Sequence, residues 1–146
     1  MTTMTDTSLR LSRTIQADLE TVFEAWTKPE HLNQWSAPEG MAVEAEVDLR
    51  VGGRYRIRMK SPDGETFNAV GEYLEIDRPN RLVYTWGWEE TGNNDYETRV
   101  TVEFFDREGG TEVVLTHELF PDAELAAKHN EGWTSCLNRL DGLFAL

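Results

Sequence analysis

Two histidines and one cysteine carry most of the reactive chemistry this chain can offer. His117 alternates with Val113 and Leu115 in a β-rich run, which turns it inward, while His129 falls on the inner stripe of a C-terminal helical pattern. Two imidazoles meeting across an interior space could act as acid and base in a cyclase, dehydratase or isomerase reaction. The plainer reading, and the favoured one, is that each is a hydrogen-bonded histidine lining or rimming the interior. Cys136 is the only cysteine, and its spacing from Trp133, Leu137 and Leu140 puts it on the apolar helix face. That position suits a small buried hydrophobe better than a nucleophile. His31, on the exposed side of "PEHLNQW", reads as surface.

The motifs of other chemistries are missing. There is no G-x-S-x-G, G-x-x-x-x-G-K or G-x-G-x-x-G, and Gly52-Gly53 sits between strands, where a turn or bulge accounts for it. With neither H-E-x-x-H nor paired cysteines, no metal is expected, and no cofactor either.

The elements that must position these residues follow from periodicity. The 146 residues suffice for one domain, and the first nine residues, "MTTMTDTSL", lack the basic and apolar regions of a signal peptide. Residues 1–8 read as a disordered tail, with an ordered domain over 9–146. "LRLSRTI" alternates as a half-buried strand, and Asp18 is placed to cap a helix carrying Val22, Phe23 and Trp26 on one face. Pro29 then opens a second short helix that points Leu32 and Trp35 the same way.

From Met41 the period changes to two. Val43, Ala45, Val47 and Leu49 share one face, then Tyr55, Ile57 and Met59, with Arg54, Arg56 and Arg58 opposite. "SPDG", "DRPN", "ETGNND" and "REGG" recur at hairpin intervals, so neighbouring runs should be antiparallel. Beyond Pro121-Asp122 a single stripe carries Leu125, His129, Gly132, Trp133, Cys136, Leu137, Leu140, Leu143 and Phe144. The fold class is therefore α+β, a curved antiparallel sheet of about seven strands around a long C-terminal helix, with two short helices after the first strand. The polar face of that sheet, including Arg54, Arg56, Arg58, Glu103 and Glu112, should meet water.

"HNEGWTSCL" poses the sharpest question, because Gly132 occupies the face that packing should fill. Glycine inside a helix costs roughly 1 kcal/mol relative to alanine. Either helix and sheet approach closely there, or an opening is kept clear. The candidate wall is amphipathic: Trp35 from the short helix, Trp86 and His117 from strands, His129 and Trp133 from the long helix. The inward strand positions Tyr55, Ile57, Met59, Tyr84 and Leu115 complete the expected ligand-binding set.

"PEHLNQW", "VGGRYRIRM", "GEYLEIDRPNRLVYTW", "TEVVLTHELFP" and "EGW" before a leucine-rich helix resemble the activator of heat-shock protein 90 ATPase homologue family. That family lies within the START-like (SRPBCC), or helix-grip, superfamily, with Bet v 1-type proteins and polyketide cyclases. The resemblance runs from about Leu9 to Leu146 and implies a deep cavity between sheet and C-terminal helix, usually for a hydrophobic ligand. None of these motifs is a catalytic signature. The eukaryotic co-chaperone carries a further N-terminal domain that engages the chaperone, and this chain has no room for one, which leaves chaperone contact in doubt.

The formal charge of −13, from 27 acidic and 14 basic residues, argues against nucleic-acid and acidic-membrane partners. The lone cysteine and absent signal peptide fit a cytoplasmic location. Three functions stand at this point. The first is a module binding a small hydrophobic or amphipathic molecule without covalent chemistry. The second is an enzyme using His117 and His129 for proton transfer. The third is an interaction module, co-chaperone-like or a homodimer, through the exposed sheet or the acidic loop of Glu89, Glu90, Asp95 and Glu97.

Overall fold

The computed structural model describes residues 2–5, 7–89 and 97–144. Strands β1 (Thr2–Thr5) and β2 (Ser8–Ile15) lead into helices α1 (Leu19–Thr27) and α2 (Pro29–Leu32). Then come β3 (Ala42–Val47), β4 (Arg54–Lys60), β5 (Thr66–Asp77), β6 (Arg81–Trp88), β7 (Thr98–Arg107) and β8 (Gly110–Glu118), and α3 (Ala123–Phe144) closes the chain. All strands join one antiparallel sheet in the order β1-β2-β8-β7-β6-β5-β4-β3. The seven strands β2 to β8 are the curled half-barrel expected from the sequence.

β1 is additional. It falls within the stretch read as a tail and pairs Thr2 with Leu11 through Thr5 with Ser8, using the edge of β2 that faces away from β8. The turn at 90–95, with Glu90 and Asp95 of the acidic loop, lies outside the described residues.

Local signals act as their chemistry dictates. Asp18 accepts the Thr21 amide at the start of α1, and Pro29 is the first residue of α2. Leu9, Leu11 and Ile15 are all buried on β2, and Tyr55, Ile57 and Met59 on β4 between the outward Arg54, Arg56 and Arg58. The outer face is laced with exposed ion pairs: Arg56 with Glu89, Arg81 with Glu75 and Glu103, and Arg107 with Glu112. Such pairs contribute little each, so the core carries the stability.

The sheet curls where β5 changes register between Tyr73 and Glu75. Gly71 allows that bend, since a Cβ there would collide with the Thr85 carbonyl of β6. Helix α1 packs on β7 and β8, α2 on β3, and α3 approaches β2 most closely. On α3 the buried residues are Ala126, Trp133, Cys136, Leu137 and Leu140.

Leu143, expected on the inner stripe, is 43% exposed, because Phe144, four residues after Leu140, takes the inward place. Leu140→Ala should accordingly destabilise the fold by about 2–5 kcal/mol in urea unfolding, and Leu143→Ala by less than about 0.5 kcal/mol. Equal losses at the two positions would mean that the helix face is misassigned.

Candidate functional site

Because α3 lies along β2, it stands off from β4 and the far end of β6, and a cavity of about 230 Å³ remains between them. Met59 of β4 and Trp86 and Trp88 of β6 form the sheet wall. Lys128, His129, Gly132, Trp133 and Cys136 form the helix wall, with Ser36 and Pro38 at the rim. A Cβ added at Gly132 would meet no atom within 4 Å outside its own helix backbone and chain neighbours. The missing side chain therefore marks an opening and not a tight contact.

The rim loop is held by the helix. Arg139 donates from Nη1 to the carbonyls of Ala37, Pro38 and Met41 at 2.7, 3.2 and 3.3 Å, and the Glu39 amide donates to Ser135 Oγ at 2.7 Å. The loop begins at Asn33, whose Oδ1 accepts the Ala45 amide at 2.7 Å and covers part of the free edge of β3.

Of the ten expected ligand-binding residues, Met59, Trp86, His129 and Trp133 line this cavity. Trp35, Tyr55, Ile57 and Tyr84 instead border a second cavity of about 20 Å³, with Trp86 and Trp133 shared between the two. That volume suits about one water molecule. Trp35, expected on the second short helix, falls in the turn beyond its end at Leu32; it donates from Nε1 to the Ala25 carbonyl at 2.9 Å and packs on Trp26, so it braces that turn against α1. Leu115 and His117 are fully buried and line neither cavity.

His117 sits one layer behind the wall, in a closed chain of hydrogen bonds. Trp133 Nε1 donates to His117 Nδ1 at 3.0 Å, which leaves the imidazole proton on Nε2. Nε2 then donates to Thr98 Oγ1 at 2.6 Å, and Thr98 Oγ1 donates to the Trp86 carbonyl at 2.9 Å. Burial, and next the nearby His129, hold the His117 pKa well below the usual imidazole value. His129 is the opposite tautomer: Nε2 accepts from Trp88 Nε1 at 3.3 Å and Nδ1 donates to the Leu125 carbonyl at 2.9 Å. Burial lowers its pKa too, against the raising effect of the Leu125 carbonyl.

The two rings do approach, with centroids 5.3 Å apart. Every ring nitrogen, however, is engaged by protein, so neither imidazole turns a free lone pair or N–H toward the cavity. Burial also pushes the Cys136 thiol up to about 12, which keeps it neutral and unreactive. Among the described residues no group of three or more His, Cys, Asp or Glu could hold a metal.

The expected ligand-binding set missed Ser36, Pro38, Trp88, Lys128 and Cys136 as lining. Lys128 had a signal, since it lies four residues before Gly132 and so on the same helix face. No helix is long and apolar enough to cross a membrane among the described residues.

Comparison with known proteins gives a family. A model described as Activator of Hsp90 ATPase homolog 1-like protein matches residues 16–145. A solved structure from Chromobacterium violaceum is 27% identical with a TM-score of 0.84, covering 94% of this chain and 96% of that one. The AHSA1 protein from Silicibacter pomeroyi is 29% identical with a TM-score of 0.80, covering 92% and 95%. A protein from Arthrobacter aurescens, 21% identical with a TM-score of 0.87 over 99% and 90% of the two chains, shares the fold. No curated protein matches the chain.

Two outcomes follow from this geometry. Gly132→Ala should raise stability by about 0.5–1 kcal/mol, as Gly142→Ala on the exposed side of α3 should, because both Cβ atoms enter open space. A loss at Gly132 with a gain at Gly142 would indicate close packing instead. The depressed imidazole pKa values mean that the unfolded chain takes up protons first as pH falls below about 6.5. Stability should therefore decline between pH 7 and 5.5, with a slope approaching 1.4 kcal/mol per pH unit for each neutral histidine. Urea titrations of His117→Gln and His129→Gln should each show a flatter decline, and an unchanged slope in both would contradict the assigned protonation states.

Proposed function

The chain belongs to the Activator of Hsp90 ATPase homolog 1-like family, and we propose that it binds a small apolar or amphipathic molecule between sheet and C-terminal helix, without covalent chemistry. One observation carries this reading: the opening beneath Gly132, of about 230 Å³ and walled by Met59, Trp86, Trp88 and Trp133. A helical glycine that lowers helix stability without permitting any close contact is explained by the space it leaves.

The volume sets the size of the guest. Apolar voids near 150 Å³ hold a benzene ring, while drug-sized ligands occupy about 300–1,000 Å³. A space between these suits a molecule of one or two rings, or a short branched chain, and is too small for a sterol or a two-tailed lipid. The tryptophan faces favour a flat ring. Proton transfer by His117 and His129 gains no support, because their nitrogens are spent on Trp133, Thr98, Trp88 and Leu125. The role is sequestration or delivery, in a cytoplasmic setting that the single cysteine suits.

Titrating naphthalene while following tryptophan fluorescence tests the proposal. Saturable one-to-one binding is expected in the wild type and should be lost in Gly132→Leu, whose side chain would fill the opening while circular dichroism stays unchanged. Binding that survives Gly132→Leu would place the guest elsewhere, and no binding to the wild type would remove the proposal.

A further inference from the structure

Resting on that binding reading, we propose that the guest is a small aromatic carboxylate, with its rings in the cavity and its anionic group at the mouth against Lys128. The wall's polar groups have largely spent their acceptors. His129 uses its only lone pair on Trp88, and Trp88 and Trp133 point their N–H groups at imidazoles. Ser36 donates to the Leu32 carbonyl and keeps only hydroxyl lone pairs. No Asp, Glu, Asn or Gln lines the cavity among the described residues. Beside the weak Cys136 S–H, two strong donors remain: the Lys128 ammonium, and the buried Trp86 Nε1, which has no partner although Trp86 borders both cavities. A wall with spare donors and few acceptors selects a guest that brings acceptors.

Charge points the same way. Lys128 is the one ionic side chain on the lining among the described residues, while Arg139, further along α3, donates to three carbonyls of the rim loop. Lys128 pairs with Glu124 at 3.5 Å, with the two side chains 67% and 79% exposed. An exposed pair one helical turn apart is weak and solvent-screened, so an incoming carboxylate can displace it. Lysine's flexible stem lets the ammonium follow the anion while its methylenes stay over the apolar mouth. The net charge of −13 repels anions at long range, but near 0.15 M salt this is damped beyond about 8 Å, and the local cation decides.

The probes are 2-naphthoate and its neutral, size-matched carboxamide, 2-naphthamide, titrated calorimetrically at pH 7.5. Wild type should prefer the naphthoate by about three- to fivefold, the scale of one partly exposed ion pair. Lys128→Gln should abolish that preference by weakening the naphthoate alone, Lys128→Arg should retain it, and added salt should shrink it. Equal affinities in the wild type, or naphthoate binding unchanged in Lys128→Gln, would overturn the carboxylate inference while leaving the cavity reading intact. If neither probe binds the wild type, the binding reading falls and this inference with it.

Discussion

Trp133 is moored to the sheet by a single hydrogen bond to His117, and the rest of the site depends on that mooring. The bond continues through Thr98 to the Trp86 carbonyl, so one line of buried polar groups joins α3 to β8, β7 and β6 in turn. In a dry interior each member needs its partner, and an orphaned one costs about 1–3 kcal/mol. The line fixes how near the helix can come. It holds the Trp86 and Trp133 rings 5.3 Å apart, and Arg13 of β2 adds a second tie by donating to Asn138. Pinned over β2 and β8, a straight helix cannot also settle onto β4 of a curled sheet. The space facing Met59 is the geometric remainder.

That remainder is chemically quiet. The imidazoles nearest to it are neutral and committed, the thiol on its wall is protonated, and ion pairs such as Arg56 with Glu89 and Arg81 with Glu103 lie on the outer sheet face, away from it. Catalysis by proton transfer requires a group within reach of the substrate with a lone pair or proton to exchange. Here the polar atoms support the architecture, while apolar surface and a few donors face the cavity. Recognition by shape and by one cation at the mouth is what such a wall can deliver, consistent with the general rule that a fold does not dictate chemistry.

Much of this was legible in the sequence because it depends on local rules. Alternation placed Tyr55, Ile57, Met59 and His117 inward, Asp18 and Pro29 marked helix starts, and the stripe through Trp133, Cys136 and Leu140 marked the buried helix face. The glycine in that stripe announced either a contact or a gap, and only the three-dimensional placement of Met59 and Trp88 decides between them. What could not be read is non-local. The rim loop has no periodicity, and Ser36 and Pro38 reach the cavity because Arg139, about a hundred residues later, holds the adjoining carbonyls. The division into a larger and a smaller cavity depends on how Trp86 and Trp133 cross, which no spacing encodes. The layer behind the wall was likewise invisible: His117 and Leu115 face inward as alternation requires, yet other side chains cover them.

An apolar space stays open beneath Gly132 while Trp133 holds the helix. A crystal of the protein pressurised with xenon tests it most directly, since xenon enters apolar voids of this size without needing a specific ligand. A xenon atom is expected between Met59, Trp86, Gly132 and Trp133, with the Trp133–His117 hydrogen bond intact. Side-chain density filling that region, and no xenon there, would contradict it.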